Sequence, residues 1–186
     1  MNRLMVPAIE AEPEWIIEAQ RGDSSAFGKL VLFYRERVVN VIYRMCGDVN
    51  LAEDIAQEAF IRSWKNLDRF KPGTSFRNWV YRIATNAALD TLRRDKETVD
   101  INDIQLVSNG DDPEAGLERK ERMEKVQESI LDLPPACRGV LVLREYESLS
   151  YKEIADTLDI PIGTVMSRLN YARKCMLETL GPYLEE

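Results

Sequence analysis

The stretch SLSYKEIADTLDIPIGTVMSRLNYARKCM, Ser148 to Met176, decides the fold. It holds two short amphipathic segments separated by Pro161 and Gly163, residues that interrupt helices and suit a tight turn. Ile154, Ala155 and Leu158 recur at helical spacing and mark the inner face of the first segment. Val165 and Leu169 do the same for the second, and Ile160 falls where it would plug the turn. Two helices crossing steeply over a short turn need a small side chain where their backbones approach, and Ala155 meets that need. The expected element is a helix-turn-helix with Thr164, Met166, Ser167, Arg168, Asn170, Tyr171 and Lys174 turned outward. Side chains of these types contact base edges or phosphates from the major groove. The alternative is an αα-hairpin whose charged face is merely solvated.

A formal charge of −7 over 186 residues would by itself argue against nucleic acid, because phosphate is held by Lys and Arg. The distribution of charge along the chain points the other way. From Lys96 to Arg119 the chain carries seven acids and two bases, whereas Arg69 to Asp95 carries six bases and two acids. From Ile160 to Leu177 there are three bases and no acid. The chain is acidic on average and basic in two places.

Composition removes several classes of function. There is no histidine, so Ser-His-Asp and Cys-His catalysis are excluded. Without histidine or a CxxC pair a zinc site is not expected, and neither is any other metal or cofactor. Three widely spaced cysteines, Cys46, Cys137 and Cys175, do not form a disulfide framework. No apolar run approaches the roughly 20 residues needed to span a bilayer, and the start MNRLMVPAIEAEPEW lacks a signal-peptide core. A cytoplasmic protein that is not an enzyme is expected, with no small-molecule ligand.

The pattern is helical nearly throughout. A first long helix is capped at GDSSAF and stops near Gly47, with Phe27, Leu30, Val31, Tyr34, Val38, Val41, Ile42 and Met45 on one stripe. NLAEDIAQEAFIRSWKNL forms a second, with Ala52, Ile55, Ala56, Ala59, Phe60 and Trp64 together. After a loop marked by Pro72-Gly73, FRNWVYRIATNAALDTLRRD forms a third. These helices make one bundle over 15–95. An acidic linker follows over 96–112, and a second helical domain runs over 113–186, with Asp112 as a cap and Pro113 in the first turn. The expected fold is all-α: two small helical domains joined by an acidic linker.

The second helix carries Glu53, Asp54, Gln57, Glu58 and Arg62 opposite its apolar stripe, a mainly acidic face that by itself could be simply solvated. The following segment mixes aromatics with bases: Phe70, Lys71, Phe76, Arg77, Trp79, Tyr81, Arg82, Arg93 and Arg94. Aromatic rings stack on bases and arginine neutralises phosphate, so this mixture suits single-stranded DNA. The competing reading is that Phe76 and Trp79 belong to the core.

The order of these parts carries a resemblance. AEDIAQEAFIRSW, then FKPGTSFRNWVYRIATNAALDTLRR, an acidic linker, and LPPACRGVLVLREYESLSYKEIADTLDIPIGTVMSRLNYARK together closely resemble a bacterial extracytoplasmic-function sigma factor of the sigma-70 family, group 4. The resemblance covers roughly Asp23 to Leu180. It implies a protein that binds core RNA polymerase and directs promoter-specific initiation, in the family commonly as a stress response. Asp54, Gln57 and Glu58 match the positions that dock on the clamp helices of the β′ subunit. The −10 element would be read as a single strand by Phe70, Lys71, Phe76, Arg77, Asn78, Trp79, Arg82, Asn86, Arg93 and Arg94. The −35 element would be read as duplex by Tyr151, Lys152, Thr164, Met166, Ser167, Arg168, Asn170, Tyr171, Arg173 and Lys174, with the domain resting on the β flap. Arg or an aromatic residue is common in related recognition helices where Met166, Asn170 and Tyr171 stand here. The resemblance also implies an anti-sigma factor, often membrane-anchored, as second partner.

Two other readings compete. A conventional helix-turn-helix regulator leaves the acidic helix and the basic-aromatic segment without a role. A decoy that binds an anti-sigma factor but not DNA should lose its basic residues, yet Arg77, Arg82, Arg93, Arg94 and Arg168 are present.

Overall fold

A computed structural model describes residues 5–71, 73–95 and 113–184. Eight α-helices and no strand occur among them: α1 (Met5–Gln20), α2 (Ser24–Cys46), α3 (Val49–Lys65), α4 (Phe76–Asp95), α5 (Pro113–Leu131), α6 (Pro135–Glu145), α7 (Tyr151–Leu158) and α8 (Ile162–Leu184). A single 3-10 turn, Leu67–Arg69, lies between α3 and α4. The linker at 96–112 and the expected cap Asp112 lie outside the described residues.

The helix ends have local causes. Asp23 accepts from the Ser25 and Ala26 backbone N–H groups, and Asp48 accepts from that of Leu51, so α2 and α3 each begin on a carboxylate cap. Gly47 ends α2 at φ 80, a left-handed conformation that other residues adopt only with strain. Ser150 and Glu153 form a reciprocal capping box at the start of α7. Hydrogen bonds from the Ser150 hydroxyl and backbone N–H hold the Glu153 carboxyl below its ordinary range. The cap's contribution is therefore complete above the ordinary carboxylate pKa, and fades as pH falls through the lowered one.

In the first group of helices, α2 is the central rod, with α1, α3 and α4 packed around it. Its buried side chains, including Leu30, Tyr34, Val38 and Ile42, follow the stripe expected from sequence, with Val31 half-buried at its edge. Sequence periodicity starts this bundle at Trp15 and does not anticipate α1 as a helix from Met5. Pro13 stands inside α1, where a missing N–H removes a helical bond. Packing compensates: Ile16 and Ala19 are buried, and Trp15 meets Phe33 edge-on at 6.4 Å between ring centres.

In the second group, Ile154, Val165, Leu169 and Ala172 are fully buried, while Ala155, Leu158 and Ile160 pack half-buried beside them. Helices α7 and α8 form the expected helix-turn-helix against α6. Asp159, the residue that ends α7, takes a left-handed φ of 55.

The two groups pack against each other, α2 on α5 and α6, and α4 on α6 and α7. Arg138 ties the seam. Its guanidinium donates to the carbonyls of Met45 (2.8 Å), Leu133 (2.7 Å) and Leu131. Two of these carbonyls belong to the last turns of α2 and α5, where helices leave acceptors unpaired and the macrodipole favours a cation. Arg44 adds a stack on the Tyr146 ring at 3.6 Å, and its carbonyl accepts from Gln127. Leu131 covers Gly47 so closely that a Cβ there would lie 2.6 Å from its Cδ1.

Arg138→Ala strips three carbonyls of a charged donor and should lower stability by about 2–3 kcal/mol in urea denaturation. Arg138→Lys should recover only part of this loss, because one ammonium cannot reproduce the planar fork. Full recovery by lysine would show that charge alone, without the fork, closes the seam.

Candidate nucleic-acid interface

Three surfaces collect the residues singled out from sequence. The first is the outer face of α3. Glu53, Asp54, Gln57, Glu58 and Arg62 are all exposed, because Ala52, Ile55, Ala56, Ala59 and Phe60 occupy the buried side at helical spacing. Between α2 and α3 lies an open groove of about 600 Å³, floored by Phe27, Phe60 and Trp64 and edged by Asp54 and Gln57. Arg35 on α2 reaches Glu53 at 2.9 Å across it, and Glu58 pairs with Arg62 at 2.7 Å one helical turn away. The surface offers a carboxylate rim over apolar ground, suited to a partner with basic and apolar side chains.

The second surface is α4 with the loop before it. Gln20 at the end of α1 donates to the carbonyls of Leu67 and Phe70, both at 2.9 Å, and so anchors the start of that loop. Two of the residues expected to stack on bases do not present their rings. Phe70 and Phe76 are 3% and 1% exposed and form, with half-buried Trp79, a cluster of rings 5.3–5.6 Å apart. Tyr34 of α2 packs on Phe76 at 5.6 Å. These phenylalanines are core residues that set the position of the loop. The stripe Phe76, Val80, Ala84, Ala87 at spacings of four and three carried that signal in the sequence.

Lys71, Asn86, Arg93 and Arg94 are exposed, while Arg77, Asn78, Trp79 and Arg82 are half-buried. Arg93 lies 3.7 Å from Asp90 and Arg82 lies 2.9 Å from Asp159 of the helix-turn-helix. Beside the loop a cleft of about 510 Å³ is bounded by Glu12, Tyr34, Arg37, Thr74, Phe76 and Arg77. It combines cationic and aromatic groups with a carboxylate. Burial and the neighbouring Glu12 push the Tyr34 phenol above its ordinary pKa, so it stays a neutral donor.

Tyr81 is a residue whose role sequence reasoning missed. It is fully buried, and its hydroxyl donates to the Glu147 carboxylate across the seam. Burial first, then that bond, push its pKa up. Its partner is 66 residues away in the chain, so no local pattern announces the contact.

The third surface is the outer face of α8. Met166 and Tyr171 are 49% and 51% exposed, and Ser167, Asn170, Arg173 and Lys174 are exposed beside them, with Thr164 and Arg168 half-buried. The Ser167 hydroxyl donates to the Thr164 carbonyl at 3.1 Å. Arg173 is held: its guanidinium pairs with Glu145 at 2.9 Å and donates to the Tyr151 hydroxyl at 3.4 Å, contacts that push its pKa further up. Arg173 and Tyr151 thereby brace α8 against α6 and α7, while Lys152 is exposed on α7. No group of residues able to hold a metal ion occurs among the described residues. No helix among them is long and apolar enough to cross a membrane.

Comparison with known proteins agrees with this anatomy. Residues 30–98 match the family model described as Sigma-70 region 2, and residues 123–176 match that described as Sigma-70, region 4. The chain is 38% identical over 176 residues to the ECF RNA polymerase sigma factor SigW of Bacillus subtilis, covering 89% of this chain and 94% of that one. It is 36% identical over 188 residues to the RNA polymerase sigma-H factor of Pseudomonas aeruginosa, covering 95% and 97%. The ECF RNA polymerase sigma-E factor of Escherichia coli is 35% identical over 178 residues, covering 89% and 92%. Among solved structures, CnrH in complex with the cytosolic domain of CnrY has a similar fold, with a TM-score of 0.69, 22% identity and coverage of 92% of this chain and 98% of that one. RpoE bound to the anti-sigma factor NepR from Bartonella quintana has a TM-score of 0.68 at 20% identity, covering 83% and 96%. With region 2 in its first group of helices and region 4 in its second, the chain belongs to the extracytoplasmic-function sigma factors of the sigma-70 family, which direct RNA polymerase to promoters.

Proposed function

We propose that the chain divides this work among its three surfaces. Residues 15–95 dock on core polymerase through Asp54, Gln57 and Glu58 and hold the −10 element as a single strand. Residues 113–186 read the −35 element as duplex. The observation that carries the docking assignment is the exposed acidic rim of α3 beside the apolar groove. A conventional helix-turn-helix regulator has no use for such a face. Its counterpart by charge, the β′ clamp helices, would supply basic side chains to Asp54 and Glu58.

For the −10 strand, the contacts fall to Lys71, Arg77, Asn78, Trp79, Arg82, Asn86, Arg93 and Arg94. Phe70 and Phe76 act by shaping the loop beneath them. A flipped base enters the cleft beside Thr74 and Arg77, which offsets an unstacking cost of a few kcal/mol. For the −35 duplex, Met166, Ser167, Asn170 and Tyr171 face the groove and Lys174 faces phosphate. Asn170 is the adenine reader by chemistry, since an amide pairs bidentately with that base. The role is that of a specificity subunit in the cytoplasm, with bond formation left to the polymerase. An anti-sigma factor is the second partner, by analogy with the NepR-bound RpoE.

Run-off transcription by bacterial core polymerase on a randomised promoter library, with and without the chain, tests the reading directly. Promoter-specific transcripts dependent on the chain are expected. Polymerase binding without transcripts would favour the decoy, and duplex binding with no polymerase binding would favour the regulator. Asp54→Arg should weaken core binding about tenfold while leaving the helical circular-dichroism spectrum unchanged, because it reverses one charge on an exposed face. Unchanged affinity would remove Asp54 from the interface. Asn170→Ala should shift preference at one −35 base pair by about 1–3 kcal/mol. An unaltered preference in the same library would mean that Asn170 reads no base.

A further inference from the structure

We propose that the corner where α1, the 3-10 turn and α3 come together is a second phosphate site, at which Arg21 and Arg69 hold the melted strand just beyond the −10 element, on its start-site side. The proposal rests on the assignment of Lys71, Arg77 and the cleft beside them to the −10 strand.

One side chain builds the corner. Gln20, the last residue of α1, donates to the carbonyls of Leu67 and Phe70, both at 2.9 Å. Leu67 and Phe70 are buried, so the two bonds fix the turn Leu67–Arg69 against the end of α1. Arg21 follows Gln20 directly, Arg69 and Lys71 flank Phe70, and Lys65 stands two positions before Leu67. Bases from three segments therefore meet around one anchor, and Arg21, Lys65, Arg69 and Lys71 are all exposed.

These cations differ from most of the others in being unengaged. Among the described residues no ion pair or side-chain hydrogen bond holds any of the four. Elsewhere on the surface bases are matched with acids, as in Arg35 with Glu53, Arg62 with Glu58 and Lys120 with Glu124. Asp68 and half-buried Glu18 temper the charge of the corner without pairing to it, and Asp23 is committed to the cap of α2. In a chain of net charge −7, bases left free at one place make a local field that favours an anion.

The corner continues the cleft. Pro13 and Ile17 line the cleft beside Thr74 and Arg77. Arg21 follows them at intervals of four, so the three share one stripe of α1, and Arg21 stands about 12 Å beyond Pro13. That distance is about three to four nucleotides at the rise of a stacked strand. Between them Ile17 is 45% exposed, an apolar step on which a sugar or base edge can rest. The corner also lies away from the −35 reader. Helix α1 packs on α2 and the 3-10 turn, and that turn packs on α1 and α3, so neither touches the second helical group. A strand running from α8 along α4 reaches the corner last.

A local role competes for Arg21 and Lys65: both stand at helix C-termini, where a cation complements the macrodipole. That role predicts lost stability on truncation and an unchanged salt dependence of DNA binding.

The test uses holoenzyme assembled from bacterial core polymerase and the full chain, on the strongest promoter of the run-off library. The half-life of heparin-resistant complexes is followed against salt for wild type, Arg21→Ala/Arg69→Ala and Arg21→Lys/Arg69→Lys. The alanine pair should shorten the half-life about tenfold and flatten the salt slope by about 1.4, at about 0.7 for each single-strand phosphate. The lysine pair should keep the wild-type slope, because an ammonium binds phosphate as a point charge. Core affinity should not change.

An unchanged half-life and slope in the alanine pair would overturn the site, as would a loss confined to urea stability. Weaker core binding with a normal slope would give the corner to polymerase and overturn it too. Methylphosphonates placed one at a time along the melted strand supply a second reading that needs no variant. On the start-site side of the −10 element they should weaken wild-type complexes and add nothing to the defect of the alanine pair. Wild-type indifference to every methylphosphonate there would overturn the site while leaving the −10 assignment in place. A library without transcripts removes the −10 assignment itself and this site with it.

Discussion

The guanidinium of Arg138 is the interaction on which the closed architecture turns. It sits where α2 and α5 end side by side and serves carbonyls from both, together with that of Leu133 beyond α5. Each helix end carries unpaired acceptors and about half a negative charge, so two such ends brought together repel unless a cation stands between them. Burial pushes the Arg138 pKa down, yet a guanidinium has pKa to spare and remains charged. Gly47 allows this approach because it ends α2 without a side chain, leaving room for Leu131. One cation and one glycine thereby register the two groups of helices.

With the groups in register, the charge distribution acquires a meaning that the net value hides. The acids of α3 face outward beside an apolar groove, available to a basic partner. Glu147 and Asp159 instead bond Tyr81 and Arg82 of α4, and Glu153 lies near Arg77 and Asn78. The same kind of residue thus forms an outward rim in one place and pairs with the chain's own side chains in another.

Much of the architecture was legible because its determinants are local. The stripes of α2 and α3, the Asp23 cap, the stop at Gly47 and the pairing of Ile154 with Val165 and Leu169 all depend on residues within a few turns of each other. Helix α1 was not legible, because Pro13 contradicts a helix by local rules and only contact with α2 overrides them. The aromatics of α4 were half legible. Ring-plus-arginine composition suits single-stranded DNA and also suits a buried ring cluster, and Phe70 and Phe76 belong to the cluster.

By itself the sequence determined the helices after α1, the inner faces of α2 and α3, the helix-turn-helix and the order of parts by which the family is recognised. These follow from periodicity, capping and turn chemistry, whose range is a few residues. Only the tertiary structure decided which aromatics are core, that Tyr81 meets Glu147 and that Arg82 meets Asp159, 77 positions away. Such pairs depend on how two helical groups are set against each other. That setting is governed by a half-buried cation, a bare glycine and the fit of distant surfaces, none of which has a period in the chain.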